Sequence, residues 1–90
     1  MELKITKTEY NKIEHLARCA ISACSKKDAK PYLTQLEFIA NSGGYAGSVR
    51  NIISELYSSV SNATGGVADK PRQICFVETD LFKLKDFIEN

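Results

Sequence analysis

The sequence predicts a mainly α fold, a compact domain of four helices, on three observations. Apolar residues recur every three or four positions through most of the chain, which is the spacing of one buried helix face. Residues that cap helices stand before these segments, and glycine or proline separates them. We therefore expect helices at about 6–25, 31–41, 48–62 and 79–89, within a single helical domain of residues 1–90.

The first helix has the most complete start signal in the chain. Thr6 is a preferred N-cap residue, and Glu9 follows it at the spacing of a capping box. Ile5 before the cap and Tyr10 in the first turns complete a hydrophobic staple. The apolar face of this helix comprises Tyr10, Ile13, Leu16, Ala17, Ala20, Ile21 and Cys24. On this pattern the helix extends from residue 6 to residue 25.

Proline and glycine mark the bounds of the second and third helices. Lys30 precedes Pro31 and is pushed away from the α region, whereas Pro31 itself fits the first turn of a new helix. The second helix is therefore predicted to begin at residue 31 and to end before Gly43. The third helix is predicted at residues 48–62, with Gly65–Gly66 as its C-cap.

The last third of the chain combines a connector, a β-prone run and a helix. Residues 67–72 are predicted to form a polar connector. The run Ile74–Val77 is rich in β-prone side chains, which leaves open a small two-stranded patch of residues 3–5 with 74–77. Thr79 and Asp80 are predicted to cap the last helix, and the acidic Asp80 suits the positive end of its dipole.

Composition restricts the setting in which the protein acts. The net charge is +1, from 12 basic and 11 acidic residues, which does not by itself indicate nucleic acid. Three cysteines without dense spacing argue against a disulfide framework and for a reducing compartment. No apolar run approaches the roughly 18–20 residues that span a bilayer, and the first residues lack the apolar segment of a signal peptide. We expect a cytoplasmic protein with no membrane partner.

The residue types that usually perform catalysis or bind metals form no recognisable pattern. His15 and Cys19 stand one helical turn apart, but zinc sites usually show paired ligands at close spacing. Cys24 lies on the apolar face of the first helix and is interpreted as a small core residue. The sequence places no base beside a nucleophile. We therefore expect a protein that is not an enzyme and holds no cofactor or metal.

A basic cluster is formed by Lys26, Lys27 and Lys30. At the predicted end of the first helix, cations would complement the negative end of the helix dipole, which is a sufficient structural reason for them. They could also steer an acidic partner toward the surface.

Three glycines, Gly43, Gly44 and Gly47, fall within five residues between the second and third helices. Glycine adopts positive φ without steric cost, so the cluster predicts a sharp turn. Backbone N–H groups freed by such a turn, with Ser48 and Arg50 beside them, could hold an anion. One alternative function is therefore the binding of a small phosphorylated ligand such as a nucleotide, and the simpler interpretation is a hinge.

The same region contains the order of elements found in a helix-turn-helix. A first helix from Gln35, a turn at Gly43 and a second helix follow one another at suitable offsets. The candidate DNA-facing residues are Gly44, Ser48, Arg50 and Asn51. The segment resembles the helix-turn-helix pattern of phage repressors over about 20 residues, although Ile39 and Gly44 stand where that pattern has a small and an apolar residue. This resemblance implies DNA binding as a second alternative.

The leading hypothesis rests on the outward face of the third helix, which carries almost no charge. Its predicted members are Ser54, Tyr57, Ser58, Ser59, Ser61 and Asn62. Interfaces are depleted in charge and enriched in tyrosine. We therefore expect a non-enzymatic binding protein, a small inhibitor or regulator, that docks a partner macromolecule, most simply a protein, and a homo-oligomer would fit the same surface. The expected contacts are Tyr45, Arg50 and Tyr57, with Lys26, Lys27 and Lys30 steering the partner.

Overall fold

The computed structural model describes residues 4–45, 47–64 and 68–88. The helices are α1 (Lys7–Ser22), α2 (Lys26–Ser42), α3 (Gly47–Asn62) and α4 (Lys70–Lys85). The Cα radius of gyration is 12.3 Å, close to the value of about 13 Å expected for a compact domain of 100 residues. The predicted compact four-helix domain is confirmed, whereas several of the predicted bounds are wrong.

Neighbouring helices run in opposite directions. The contacts that join α4 to α3 and to α1 are Ser59 with Asp80, Glu55 with Lys83, Arg18 with Glu78, and Ile5 with Ile88. In the contacts with α3, and likewise in those with the α1 side, the partner's residue numbers decrease as the residue numbers of α4 increase. Helix α4 is therefore antiparallel to both α1 and α3. Glu9 of α1 contacts Tyr45, just after α2, and Cys19 near the end of α1 lines one hollow with Asp28 near the start of α2, so α1 and α2 are antiparallel as well. The four helices therefore form an up-and-down bundle.

The start of α1 is the one that the sequence predicts. The Glu9 backbone N–H donates to Thr6 Oγ1 at 3.1 Å, and the Thr6 N–H donates to Glu9 Oε1 at 2.9 Å, so the capping box is complete. The helix ends at Ser22, before the predicted residue 25, because Ala23 adopts an extended conformation. Cys24 consequently leaves the helix and is exposed, which corrects its assignment to the core.

The second helix begins at Lys26, before the predicted residue 31. The reason is Ser25, whose Oγ accepts the Asp28 N–H at 3.2 Å and so caps the helix. Pro31 lies in the second turn, where it cannot donate the usual bond to the Lys27 carbonyl. The favourable cap at Ser25 therefore outweighs the cost of one proline inside the helix.

The glycine turn between α2 and α3 follows from the way in which α2 ends. The Gly43 N–H donates to the Ile39 carbonyl at 3.0 Å, and a Cβ at Gly43 would collide with that oxygen. Gly44 then adopts φ 83°, the left-handed conformation typical of the residue after a helix. Gly47 also has positive φ and opens α3 one residue before the predicted start. The predicted C-cap Gly65–Gly66 lies outside the described residues.

The largest correction concerns α4. It begins at Lys70, so residues 74–77 are helical and cannot form the predicted strand with residues 3–5. Residue 3 lies outside the described part of the chain. The last helix ends at Lys85, before the predicted residue 89, because the N–H groups of Asp86 and Phe87 donate to carbonyls only three residues back. Ile5 pairs instead with Ile88 in an isolated parallel bridge, in which the Ile5 N–H donates to the Phe87 carbonyl at 3.0 Å.

The helical state of residues 74–77 has a packing reason. Val77, Leu81 and Leu84 follow the three-four spacing of one helix face, and all three are buried. Thr79 and Asp80, the predicted caps, therefore lie inside the helix. Pro71 stands in the first turn of α4, where its missing N–H removes no intrahelical bond.

The core is centred on α3, which packs against both α2 and α4. Its buried residues are Val49, Ile53, Leu56 and Val60, each fully excluded from solvent. Side chains of α1, α2 and α4 surround this row, together with Ile5 from the segment before α1. Because α3 has neighbours on two sides, its exposed residues beyond the first turn are Asn51, Glu55, Ser58 and Asn62.

Candidate docking site

Tyr45, the first predicted partner contact, is turned into the protein. It is buried, and its hydroxyl donates a hydrogen bond to the Glu9 carboxylate. This bond is the main cause that lowers the pKa of Glu9, and the backbone bond from Thr6 adds to it. Tyr45 therefore joins the glycine turn to the start of α1 in this structure.

The two sides of the uncharged face of α3 lie against neighbouring helices. Tyr57 is half-buried, and burial together with Glu37 of α2 raises the pKa of its hydroxyl. On the other side, Ser59 Oγ donates to Asp80 Oδ2 of α4 at 3.0 Å. Packing inside the bundle thus accounts for much of the missing charge. Of this face, Ser58 and Asn62 are exposed, and the charged Glu55 is exposed on the same helix.

The residues predicted to contact an anion or DNA are all exposed. Gly44, Ser48, Arg50 and Asn51 lie together at the turn and in the first turn of α3. Gly44 already has a structural role as the residue that ends α2. Arg50 is the only basic side chain of α3, whereas contacts to a phosphate backbone usually involve several.

The basic cluster occupies a different position from the predicted one. Lys26, Lys27 and Lys30 are exposed near the N-terminus of α2, not at the C-terminus of α1. Positive charge at a helix N-terminus opposes the dipole, at a cost of roughly 0.3–1 kcal/mol for each charge in the first turn. The dipole explanation for these lysines is therefore wrong, and they concentrate positive charge where α2 begins.

One contact that sequence reasoning left open joins His15 to Cys19. The Cys19 Sγ lies 3.5 Å from Nε2 and 3.9 Å from Nδ1 of the His15 ring. A thiol beside an imidazole can act as a nucleophile when a third group orients the base. Within the described residues, the polar contact of this ring is with Cys19 alone, so the pair lacks that third group.

Three phenylalanines are the exposed large apolar side chains among the residues that the structure describes, and none of them was predicted as a contact. Phe38 is 66% exposed and Phe82 70%, and Phe76 is 46% exposed beneath the guanidinium of Arg72, 5.9 Å from its ring centroid. Helical periodicity is the sequence signal that could have identified the exposure of Phe38. Phe38 lies off the face formed by Leu36 and Ala40, so helical spacing alone places it toward solvent.

Phe38 stands beside two adjoining hollows between α1 and α2. The first has a volume of about 140 Å³ and is lined by Glu9, Lys12, Ile13, Ile39, Gly43 and Tyr45. The second has a volume of about 300 Å³ and is lined by Lys12, Thr34, Gln35, Phe38 and Ile39. Because Lys12 and Ile39 belong to both, the hollows form one surface depression, here named the Phe38 groove. Ile13, Ile39 and Tyr45 supply apolar walls, and Glu9 and Lys12 add opposite charges.

Metal-binding clusters and membrane-spanning helices are absent from the residues that the structure describes. No cluster of three or more His, Cys, Asp or Glu side chains that could hold a metal ion is found among them. None of the helices within these ranges has both the length and the apolar character needed to cross a bilayer. Comparison of the chain with protein-family models, curated proteins and solved structures found no match.

Proposed function

We propose that this protein is a non-enzymatic binding protein, a small inhibitor or regulator, that docks a partner protein at the Phe38 groove. The observation that carries the proposal is the exposure of Phe38, at 66%, on the rim of the groove. Aromatic side chains are enriched among the residues that dominate protein interfaces. Covering a phenylalanine fully is worth roughly 1.5–3 kcal/mol, which is enough to make it an anchor.

The groove also indicates the chemistry of the partner. Its apolar walls suit an aliphatic or aromatic side chain, which would enter the hollow beside Ile39 and cover Phe38. The carboxylate of Glu9 is engaged by Tyr45, and Lys12 supplies a positive charge that can orient an acidic group of the partner. The proposed partner is therefore a protein segment with one buried apolar residue beside an acidic or polar one.

The lysines near the start of α2 fit the same proposal in a different role. Lys26, Lys27 and Lys30 are exposed and close in sequence, so their positive potential would add on approach to an acidic partner. Charges that lie outside the contact itself raise the association rate and affect dissociation much less. Free cysteines on the surface support the expectation of a reducing compartment such as the cytoplasm.

The proposal is tested by comparing Phe38→Ala with Phe82→Ala. Both side chains are mostly exposed, and they lie on different helices, so Phe82→Ala is the matched control. Partners are first isolated from the native host by affinity capture, and binding is then measured by calorimetry with purified proteins. We expect Phe38→Ala to weaken binding at least about tenfold, or 1.4 kcal/mol, and Phe82→Ala to leave it within about twofold.

The outcome is interpreted only for folded variants, as shown by circular dichroism and thermal melting. Equal losses in the two variants would assign the effect to general surface hydrophobicity, and an unchanged affinity of Phe38→Ala would remove the groove from the binding site. A partner that proves to be nucleic acid would reject the proposed class of partner.

A further inference from the structure

A buried carboxyl group lies between α3 and α4. Asp80 is only 3% exposed, on the same face of α4 as Val77 and Leu84, which are fully buried. Its Oδ2 accepts a hydrogen bond from Ser59 Oγ of α3 at 3.0 Å. Buried carboxylates are rare unless they are paired with a cation, and a single hydroxyl donor is a weak substitute for one.

Two further charged groups face this carboxyl group. Glu55 lies on α3, one turn before Ser59, and is close enough to hydrogen-bond to Asp80. Lys83 follows on α4, but its Nζ approaches Glu55 Oε2, at 3.9 Å, and both of these side chains are more than half exposed. The ammonium group of Lys83 therefore interacts with solvent and with the Glu55 carboxylate, and is not a dedicated partner of Asp80.

The other helix that packs against α4 brings its charges to a different place. On α1, Arg18 donates to Glu78 at 2.7 Å and to Glu14 at 3.2 Å. Glu78, Arg18 and Glu14 thus form a separate exposed cluster on the α1 side of α4. The groups that act on Asp80 are those of the α3–α4 contact.

The energetic balance at this site favours a proton. The pKa of Asp80 is raised from 3.8 to about 6, mainly by burial and additionally by Glu55, while the hydrogen bond from Ser59 and the charge of Lys83 oppose the rise. Two carboxyl groups in contact hold one proton more readily than either does alone, because the proton bridges them and removes one negative charge.

We propose that Asp80, Glu55 and Ser59 make the α3–α4 contact responsive to pH: uptake of one proton by the carboxyl pair tightens α4 against α3, and its release loosens this contact. In the protonated state the pair carries a single negative charge, which Lys83 balances. In the deprotonated state a charged carboxylate stays buried with Ser59 as its hydrogen-bond donor. The device is independent of the Phe38 groove, which lies between α1 and α2.

The sign of the pH dependence follows from linkage. A group whose pKa is higher in the folded than in the unfolded state contributes stability that is present below the unfolded value and is lost as the pH rises through the folded one. For Asp80 the two values are 3.8 and about 6. Between pH 5 and pH 7 we therefore expect the folding equilibrium constant to fall about tenfold.

Urea unfolding at pH 5 and pH 7 tests the proposal in the intact protein. The unmodified chain should show the tenfold fall, whereas Asp80→Asn, which cannot ionise, should change less than about twofold. Asp86→Asn is the matched control, because Asp86 is exposed just after α4, and it should keep the full fall.

Two neighbouring variants give opposite shifts of the same midpoint. Glu55→Gln removes the like charge and should move the pH midpoint down, whereas Ser59→Ala removes the donor that stabilises the ionised form and should move it up. A ¹³C NMR titration of the Asp80 carboxyl in the unmodified protein measures the midpoint even if a variant fails to fold. A midpoint below pH 5, or an Asp80→Asn variant that keeps the tenfold fall, would overturn the proposal.

Discussion

At the scale of single residues, the hydroxyl of Tyr45 has the contact with the most consequences. It donates to the Glu9 carboxylate, which also receives the N–H of Thr6 in the capping box. One carboxylate therefore accepts hydrogen bonds from two donors and ties the turn after α2 to the first turn of α1. The sequence suggested Tyr45 as an interface anchor. In this structure its hydroxyl makes an internal hydrogen bond that joins two parts of the fold.

Replacing Tyr45 with phenylalanine should lower the free energy of unfolding by about 1 kcal/mol or more at pH 7, because a hydrogen bond to a charged group is lost. Tyr32→Phe is the control, since Tyr32 is half-buried and its hydroxyl makes no hydrogen bond within the described residues. Urea unfolding of both variants measures the difference, and equal effects in the two would contradict the role of the Tyr45 hydroxyl.

For Tyr45 and Glu9 we expect a pH dependence of stability with the sign opposite to that of Asp80. Tyr45 and Thr6 lower the pKa of Glu9 below 4.5, so its contribution is present above that value and is lost as the pH falls through the folded-state pKa. The destabilisation caused by Tyr45→Phe should consequently be larger at pH 7 than at pH 3.

At the scale of elements, α2 and α4 show how a proline acts according to its position. Pro31 lies in the second turn of α2, where the Lys27 carbonyl loses its partner. Pro71 lies in the first turn of α4, where no intrahelical bond is expected from its nitrogen. Proline thus removes a hydrogen bond in α2, whereas in α4 it occupies a position where no bond is lost.

Pro31→Ala should therefore raise the free energy of unfolding by about 1–2 kcal/mol, since the restored N–H and the removed ring clash exceed the entropy gained by the unfolded chain. Pro71→Ala lacks that compensation and should be neutral or lower stability by about 0.4–1 kcal/mol. Thermal and urea unfolding of the two variants decide the matter, and a Pro31→Ala protein no more stable than its Pro71→Ala counterpart would refute the argument.

The sequence predicted the elements that have local signals and missed those that depend on packing. Thr6 and Glu9 determine the start of α1 by themselves, and that prediction is confirmed. The β-prone composition of residues 74–77 concealed a helix whose face, Val77 with Leu81, becomes visible only when it is set against α3. Local propensity is a weak guide where burial decides the structure.

The candidate site was less accessible to sequence reasoning than the fold. Helical spacing places Phe38 outside, but the groove beside it depends on how Lys12 of α1 aligns with Ile39 of α2. That alignment depends on where α2 begins, and the cap at Ser25 was not recognised. The inward direction of Tyr45 likewise depends on Glu9, which is far from it in sequence.

At the scale of the whole molecule, the segment before α1 closes the bundle. Ile5 is 1% exposed although it belongs to no helix, and its backbone is hydrogen-bonded to Phe87 after α4. Arg18 and Glu78 join the same two helices farther along, but their side chains are about half exposed, and such pairs are usually worth 0–1 kcal/mol. Apolar burial at Ile5 therefore contributes more to the α1–α4 contact than the ion pair does.

Ile5→Ala should accordingly cost about 2–4 kcal/mol of unfolding free energy, because a fully buried side chain is truncated. Ile52→Ala on α3 is the control, since Ile52 is only partly buried against the core and should cost less. Chemical denaturation provides both values. An Ile5→Ala protein as stable as Ile52→Ala would show that the N-terminal segment is not integral to the bundle.

The contact between Ile5 and Ile88 also affects the folding kinetics. Helices that follow one another in the chain pack together, so most of the bundle forms through contacts that are close in sequence and fast to make. The bridge from Ile5 to Ile88 closes a loop of nearly the whole chain, and the entropy of closing a loop grows with its length. We expect this pairing to form after the transition state for folding. Shortening the side chain of Ile5 would then accelerate unfolding and leave the refolding rate nearly unchanged.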